Sequence, residues 1–406
     1  MKAVICGAGI AGLALAQRLD SIGWDVVVVE LADGPRTQGY MIDFFGLGYE
    51  AAEKMGVLPR LRELGYQVEA ATYVDSDGRR RGSMDYQQFA SVVDGRLLSV
   101  MRPDLELALR EQVAHRVDLR FGRGIAEIDN RSDGVRVELT DGSTVEADLL
   151  VGADGIHSTV RRLVFGEEAR YLRYLGLHTA AYTFHDPEIH QRIDGTFWLT
   201  DTPHRMVGLY GLRDGRTAVF TVHRAADPTL PSDPRAAVRE AYGSLGWLVP
   251  RVLELCPDSH QIYYDQVAQI ELPSWSRGRV TLIGDACQAV SLLAGQGASL
   301  AIAGAYVLAS HLAHADTVED ALASYQRSWQ PVVVDKQQTG RRGIEWFLPS
   351  TQRRLWLRRV ALKVMTLPGL DRYLGGALVG KVRVPIDDLA ADPQTLREAG
   401  APRQDT

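Results

Sequence analysis

A four-residue apolar run, residues 3–6, that ends directly in three spaced glycines limits this chain more than any other feature. Residues 2–6 (Lys-Ala-Val-Ile-Cys) read as a short buried strand, and Gly7-Ala8-Gly9-Ile10-Ala11-Gly12 as a tight turn opening a helix. That helix carries Leu13, Ala16 and Leu19 on one face and stops at Gly23. Residues 26–29 are consecutive valines, the pattern of a strand buried on both faces of a parallel sheet. Together they form a βαβ unit of about 30 residues, with Glu30 at the end of its second strand. Gly7 permits the turn, Gly9 lets a pyrophosphate approach the backbone, and Gly12 packs helix against sheet. Phosphates then sit on the helix N-terminus, and the Glu30 carboxylate takes ribose hydroxyls. An acid at that position repels a 2′-phosphate, so the dinucleotide is FAD or NAD rather than NADP.

A chain of 406 residues exceeds one hydrophobic core, which stops growing near about 250–300 residues, so two or three domains are expected. With 46% hydrophobic and 24% charged residues, wholesale disorder is excluded. The net charge of −6 leaves no electrostatic footprint for nucleic acid. Three scattered cysteines, Cys6, Cys256 and Cys287, make neither a disulfide scaffold nor a metal site and point to a reducing, cytoplasmic compartment. Met1-Lys2 and the apolar residues 3–16 imitate a signal peptide, but Gly7, Gly9 and Gly12 argue against its apolar core.

Further along, residues 32–39 form a polar, Gly-rich loop, helices are expected around residues 49–65, and a charged hairpin around Asp77-Gly78. Residues 104–116 read as a helix with Asp104 at its start, and residues 135–139 and 144–147 as a hairpin turning at Asp141-Gly142. Residues 171–224 alternate as strands and hold eight of the chain's 31 aromatic residues, a face that can wall a pocket or simply fill a sheet core. Phe184, Tyr210, Phe220 and His223 are the pocket candidates there. The βα grammar returns near residue 278, so the first domain is discontinuous. The expected class is α/β, a Rossmann-like FAD-binding domain with an inserted, mostly antiparallel substrate sheet and C-terminal helices. Residues 1–72, 98–170 and 272–340 form the first, residues 73–97 and 171–271 the second, and residues 341–384 bridging helices before a tail at 385–406.

Two segments choose between FAD and NAD. Leu149-Leu150-Val151-Gly152-Ala153-Asp154-Gly155 is a strand running into a turn, and Thr281-Leu282-Ile283-Gly284-Asp285 is another with an acid at its tip. A carboxylate at Asp285 suits ribityl hydroxyls. Backbone amides at Gly295, Gln296, Gly297 and Ala298 suit the flavin edge where negative charge collects on reduction.

These three motifs, in this order and over nearly the whole chain, resemble the class A flavoprotein monooxygenases of the p-hydroxybenzoate hydroxylase fold. Arg36-x-x-Gly39-x-x-x-Asp43 is most similar to the tetracycline-inactivating and polyketide-tailoring members. The resemblance implies FAD, NAD(P)H as co-substrate, O2, and a small aromatic or polycyclic substrate hydroxylated through a flavin C4a-hydroperoxide. It implies that Gly9, Ile10 and Ala11 meet the pyrophosphate, Glu30 the adenosine ribose, and Arg102 the FAD. Asp154 belongs to a turn shared with the reductant, Asp285 holds the ribityl chain, Asp43 touches the FAD and Arg36 docks NADPH. No catalytic side chain is implied; His223 or Tyr210 are candidates, by location, for activating a phenol. The family's usual His, Pro and Asn are replaced by Gln288, Leu292 and Ser299, and its Glu-Asp pair by Ala303-Gly304. Leu292 keeps open an oxidase, epoxidase or cyclase on the same scaffold, and a flavin-binding sensor without turnover is the alternative from another class.

Other motifs are set aside. Gly375-x-x-x-x-Gly380-Lys381 lacks the hydroxyl a phosphate loop needs, and His311 and His314 read as a solvated helix end. Residues 341–381 interleave Trp346, Trp356 and Leu357 with arginines; packing across the two domains is preferred to lying on a membrane. Monomer and homodimer both remain open.

Overall fold

The computed structural model describes residues 1–36, 38–291, 295–365 and 384–391. The strand Lys2–Cys6 pairs in parallel with Asp25–Val29, from Lys2↔Asp25 to Cys6↔Val29, and the helix Ile10–Ser21 connects them. All four valines of the second strand are buried, as a strand covered on both faces requires. The sheet runs Ser276–Arg277, Val280–Leu282, Leu149–Gly152, Lys2–Cys6, Asp25–Val29, Asp118–Arg120. Its pairings are parallel except for the Ser276–Arg277 edge. Of the two sequence segments that choose the cofactor, one lies on the strand beside the first and the other on the next strand out, all three parallel, so their turns emerge at the same end of the sheet.

A second sheet has seven strands in the order Tyr263–Ile270, Leu172–His185, Arg216–Arg224, Arg205–Gly211, Thr196–Thr202, Ala70–Val74, Arg80–Asp85. It is antiparallel save for the parallel pair Thr196–Thr202 with Ala70–Val74. Alternation along each strand separates two cores. Val219, Val207 and Tyr182 face the helices Pro187–Ile193, Pro234–Tyr242 and Val249–Glu254, whereas Phe220, Val222, Met206 and Val267 face the other way. The hairpin at Asp141-Gly142 forms as read, between Val135–Leu139 and Thr144–Ala147.

Two expectations fail for reasons of packing. His311 does not end a solvated helix: it is buried, with Nε2 3.1 Å from Ser328 Oγ and 3.1 Å from the Leu389 carbonyl. The tail expected to fray from residue 385 opens with the helix Ile386–Ala390, because Ile386 and Leu389, one turn apart, bury one face against Gly297–His314. The phosphate-loop-like residues 375–381, Leu292, and residues 366–383 generally lie outside the described residues. The described part of the amphipathic stretch is held to the second sheet. The helix Gln352–Met365 packs on Arg80–Asp85, and fully buried Asp201 is paired with Arg358 and, at 2.9 Å, with Arg359. Among the described residues no helix is long and apolar enough to cross a membrane.

Gln288 and Gly304, both departures from the family pattern, meet at one place. The buried Gln288 side chain accepts from Trp329 Nε1 and donates to Tyr325 Oη, each at 2.9 Å. A side chain at Gly304 would run into that Trp329 indole, 2.7 Å from its Cβ position. Gln288→Leu conserves volume but leaves the Trp329 N–H without an acceptor and Tyr325 Oη without its donor. It should lower the unfolding free energy by about 2–4 kcal/mol, measured by chemical denaturation; a loss below ~0.5 kcal/mol would mean that the pair is served otherwise.

Candidate active site

A cavity of about 490 Å³ lies between the carboxyl ends of the parallel strands and the inner face of the seven-stranded sheet. One end is lined by backbone and small residues, the other by rings. At the first end are Gly9, Ile10 and Ala11, where the helix Ile10–Ser21 begins without a side-chain cap and without an acid in its first turn. Its free amides therefore offer partial positive charge to an anion. A Cβ on Gly7 would overlap the Ala153 carbonyl oxygen, and one on Gly12 the Gly7 carbonyl oxygen. Gly7 also sits at φ +109°. A Cβ on Gly9 would meet only Arg102 Nη2, 3.9 Å away. Gly7 and Gly12 thus serve the fold, and Gly9 leaves room for a ligand.

Arg102 opens the helix Arg102–Val113 and pairs with buried Glu106 at 3.1 Å. Glu30 is oriented by two amides, accepting from Ala8 N at 2.9 Å and Ala32 N at 3.0 Å. Asp285 follows Gly284, itself at φ +59°, and lines the cavity, exposed to its lumen. Desolvation raises its pKa, opposed by the Arg102 charge, and no hydrogen bond from the described residues reaches it. Gly295, Gly297 and Ala298 line the same end, where the helix Gly297–His314 begins uncapped; Gln296 stands at its cap position and does not line the cavity.

Asp43 lies farther in. Its two oxygens accept from Ser99 Oγ (2.7 Å) and Tyr86 Oη (2.9 Å), and burial raises its pKa against those two hydrogen bonds. Tyr210 and Phe220 also line the cavity. Tyr210 Oη accepts from the Met41 amide at 2.6 Å, and burial pushes its pKa well above the ordinary phenol value.

Other candidates stand elsewhere. Phe184 and His223 are on the opposite face of the sheet: His223 is three residues from Phe220, and Phe184 pairs with Thr217, again three from Phe220. An odd separation on a strand reverses the face. There His223 Nδ1 meets Tyr242 Oη at 2.9 Å, and burial lowers its pKa to about 4, leaving a neutral packed imidazole. Asp154 does not line the cavity; it holds its own turn through Ser158 Oγ (2.5 Å) and Val160 N (3.1 Å), while Gly155 and Ile156 reach the lumen. Arg36 is exposed in its loop and does not line the cavity.

Sequence reasoning missed Tyr86 and a charged chain at the cavity wall. His157 sits between Asp265, a lining residue, at 3.5 Å and Glu168 at 3.0 Å, and Glu168 also takes fully buried Arg161 at 2.8 Å. Asp265 above all, with Glu168, raises the His157 pKa from 6.5 to about 9. The signal available was the His inside Gly155-Ile156-His157, but its partner is over a hundred residues away. Tyr86 likewise needed the long-range pairing of Asp43 with Ser99 across Met41–Phe45 and Leu97–Met101.

The residues present fit a bound FAD. An uncapped helix start beside a guanidinium and an Asp285 without a hydrogen-bond partner among the described residues line one cavity, and the amide-held Glu30 stands just outside its lining, at the end of the second strand. Gly9→Ala should leave thermal stability nearly unchanged while weakening FAD binding by ~10-fold or more, because the added methyl enters the ligand's space. Gly12→Ala should instead unfold the protein or prevent its accumulation, with the melting temperature as the readout. The sign for His157 follows from its raised pKa. Its ion pairs contribute fully below pH 6.5 and are lost as pH rises through about 9. Wild-type stability relative to His157→Gln should therefore fall across that window, and a flat difference would show that the pairs contribute nothing.

Comparison with known proteins places this geometry. A family model described as FAD binding domain matches residues 1–338. A flavin-dependent monooxygenase from an unknown prokaryotic organism is 30% identical, covering 84% of this chain and 88% of its own. The FAD-dependent monooxygenase asL6 of Sarocladium schorii is 30% identical, covering 86% and 88%. The crystal structure of tetracycline destructase Tet(51) superposes with a TM-score of 0.78 at 27% identity, covering 91% of this chain and 99% of that one. The chain belongs to the FAD-binding family of class A flavin-dependent monooxygenases, and FAD is its cofactor.

Proposed function

We propose that this enzyme uses NAD(P)H and O2 to hydroxylate an aromatic or polycyclic, polyketide-like small molecule in the cavity described above. The observation that carries this reading is the cavity's second half. Beyond Asp285 and Gly297, the walls become Phe45, Phe89, Phe197, Phe220 and Phe347 with Met41 and Met84. Flat ring walls favour a flat, apolar ligand.

FAD, once reduced by the nicotinamide, supplies the oxygen-transfer chemistry. The chain's own groups do the rest. Gly9, Ile10, Ala11 and Arg102 would hold the pyrophosphate, Glu30 the adenosine ribose and Asp285 the ribityl chain, with Arg36 toward the reductant and Asp43 at the flavin's substrate side. The amides at Gly297 and Ala298, at an uncapped helix start, suit negative charge gathering on the reduced ring. Aromatic walls exclude water, which a reactive oxygen donor requires. Tyr210 acts as a neutral donor rather than a base, since burial holds its proton. In this reading residues 171–271 supply the substrate wall and the helical segment around Phe347 closes it, as Phe347 on the lining supports.

The test is NAD(P)H consumption by the flavin-loaded protein with tetracyclines, anthraquinones and simple phenols, with product masses recorded. Stimulated consumption with a product one oxygen atom heavier is the expected result. A flavin that neither nicotinamide reduces would sink the reading; reduction with turnover but no added oxygen would leave an oxidase or cyclase.

A further inference from the structure

The charges around this cavity are unevenly answered. Among the described residues that line it, Arg102 is the only cation, and it stands at the pyrophosphate end, beside Gly9 and paired to Glu106. Among the same residues are three carboxylates. Asp285 feels the Arg102 charge and Asp265 is paired with His157. Asp43 alone, among the described residues, has no cation acting on it; its partners are the hydroxyls of Ser99 and Tyr86. The ring-walled end therefore holds a carboxyl group whose partners are neutral donors and, among the described residues, offers no cation to a second one. Tyr210 adds the complementary feature. The residue lines the cavity, its oxygen already accepts the Met41 amide, and its own O–H has no acceptor among the described residues.

We infer that the aromatic end of the cavity selects uncharged, oxygen-bearing aromatic polycycles and turns away aromatic carboxylates, with Asp43 as the excluding charge and the Tyr210 hydroxyl as the anchoring donor. The inference rests on the reading that this end is the substrate site. A carboxylate brought there loses its water, gains no cation from the described residues and shares the cavity with Asp43, each of which opposes binding. A ring carbonyl or hydroxyl pays no such penalty and satisfies the spare Tyr210 proton, whose donor is otherwise left unmet.

The test is calorimetric titration of the FAD-loaded protein at neutral pH with two matched pairs. One is the dihydroxyanthraquinone danthron against rhein, the same ring system bearing a carboxylate; the other is naphthol against hydroxynaphthoate. The neutral member of a pair should bind more than ~10-fold tighter. Asp43→Asn should shrink that ratio to within about 3-fold, chiefly by tightening the carboxylate, while Ser99→Ala, which keeps the charge, should preserve it. Tyr210→Phe should weaken danthron by about 10-fold and leave the ratio in place. Flavin absorbance and melting temperature verify that each variant is loaded and folded. Equal affinity for both members in the wild type overturns the inference even if Asp43→Asn fails to hold FAD, and so does an unchanged ratio in a loaded Asp43→Asn. If neither neutral ligand binds, the substrate-site reading falls first and takes the inference with it.

Discussion

The dinucleotide end of the molecule depends on a backbone-to-backbone contact, Gly12 against the carbonyl of Gly7. Any side chain at Gly12 would occupy the space of that oxygen, and any at Gly7 the space of the Ala153 carbonyl. Because both are absent, the helix Ile10–Ser21 packs directly on the strand Lys2–Cys6, and the turn after Leu149–Gly152 packs directly on the first turn. Three turns, carrying Gly9, Gly155 and Asp285, thereby open onto one cavity. The free amides of the helix start, the Arg102 guanidinium and the Asp285 carboxylate acquire their spacing from that contact rather than from one another.

The other wall obeys a different constraint, the two-residue period of a strand. Phe220 and His223 are neighbours in sequence and belong to different environments, a ring-lined cavity and a helix-covered core. Tyr210 reaches the lumen and Leu209 does not. This division makes Tyr210 available as a donor while the histidines stay packed. His178 and His223 stack edge to face 5.7 Å apart beneath the helices, and burial lowers the pKa of both, so neither carries a proton to the cavity at neutral pH.

Local patterns made much of the fold readable. The Gly7, Gly9 and Gly12 spacing, the valine strand, the Asp141-Gly142 hairpin and the acid at Asp285 each announce a local geometry through a few adjacent residues. What stayed hidden depended on pairing across the chain. Nothing near Asp43 foretells Ser99 opposite it or Tyr86 above it, and nothing near His157 foretells Asp265. For Phe184 and His223 composition identified a ring-rich sheet, but choosing the face required the register to Thr217 and His178. His311 misled because polarity at a helix end reads as solvent exposure, while a short apolar pair, Ile386 and Leu389, arrives from far along the chain to cover it.

The departures from the family pattern also take a different meaning in three dimensions. Read singly, Gln288 in place of His and Gly304 in place of an acid look like changes to chemistry. Neither lines the cavity. Gln288 bridges Trp329 and Tyr325, and the missing side chain at Gly304 is what lets the Trp329 indole lie there. An acid at residue 304 would collide with that indole and face a buried amide, so the two substitutions are one packing solution shared with the helix Val318–Phe347. Ser299 follows the same logic, buried where its backbone closes on Gly48 too tightly for any Cβ there. The helix Gly297–His314 is thus wedged from behind by Gln288, Trp329 and Gly48, while its first turn, Gly297 and Ala298, opens onto the cavity. Gln288, Ser299 and Gly304 act in the layer behind that face, on the packing that holds it rather than on anything bound in the cavity.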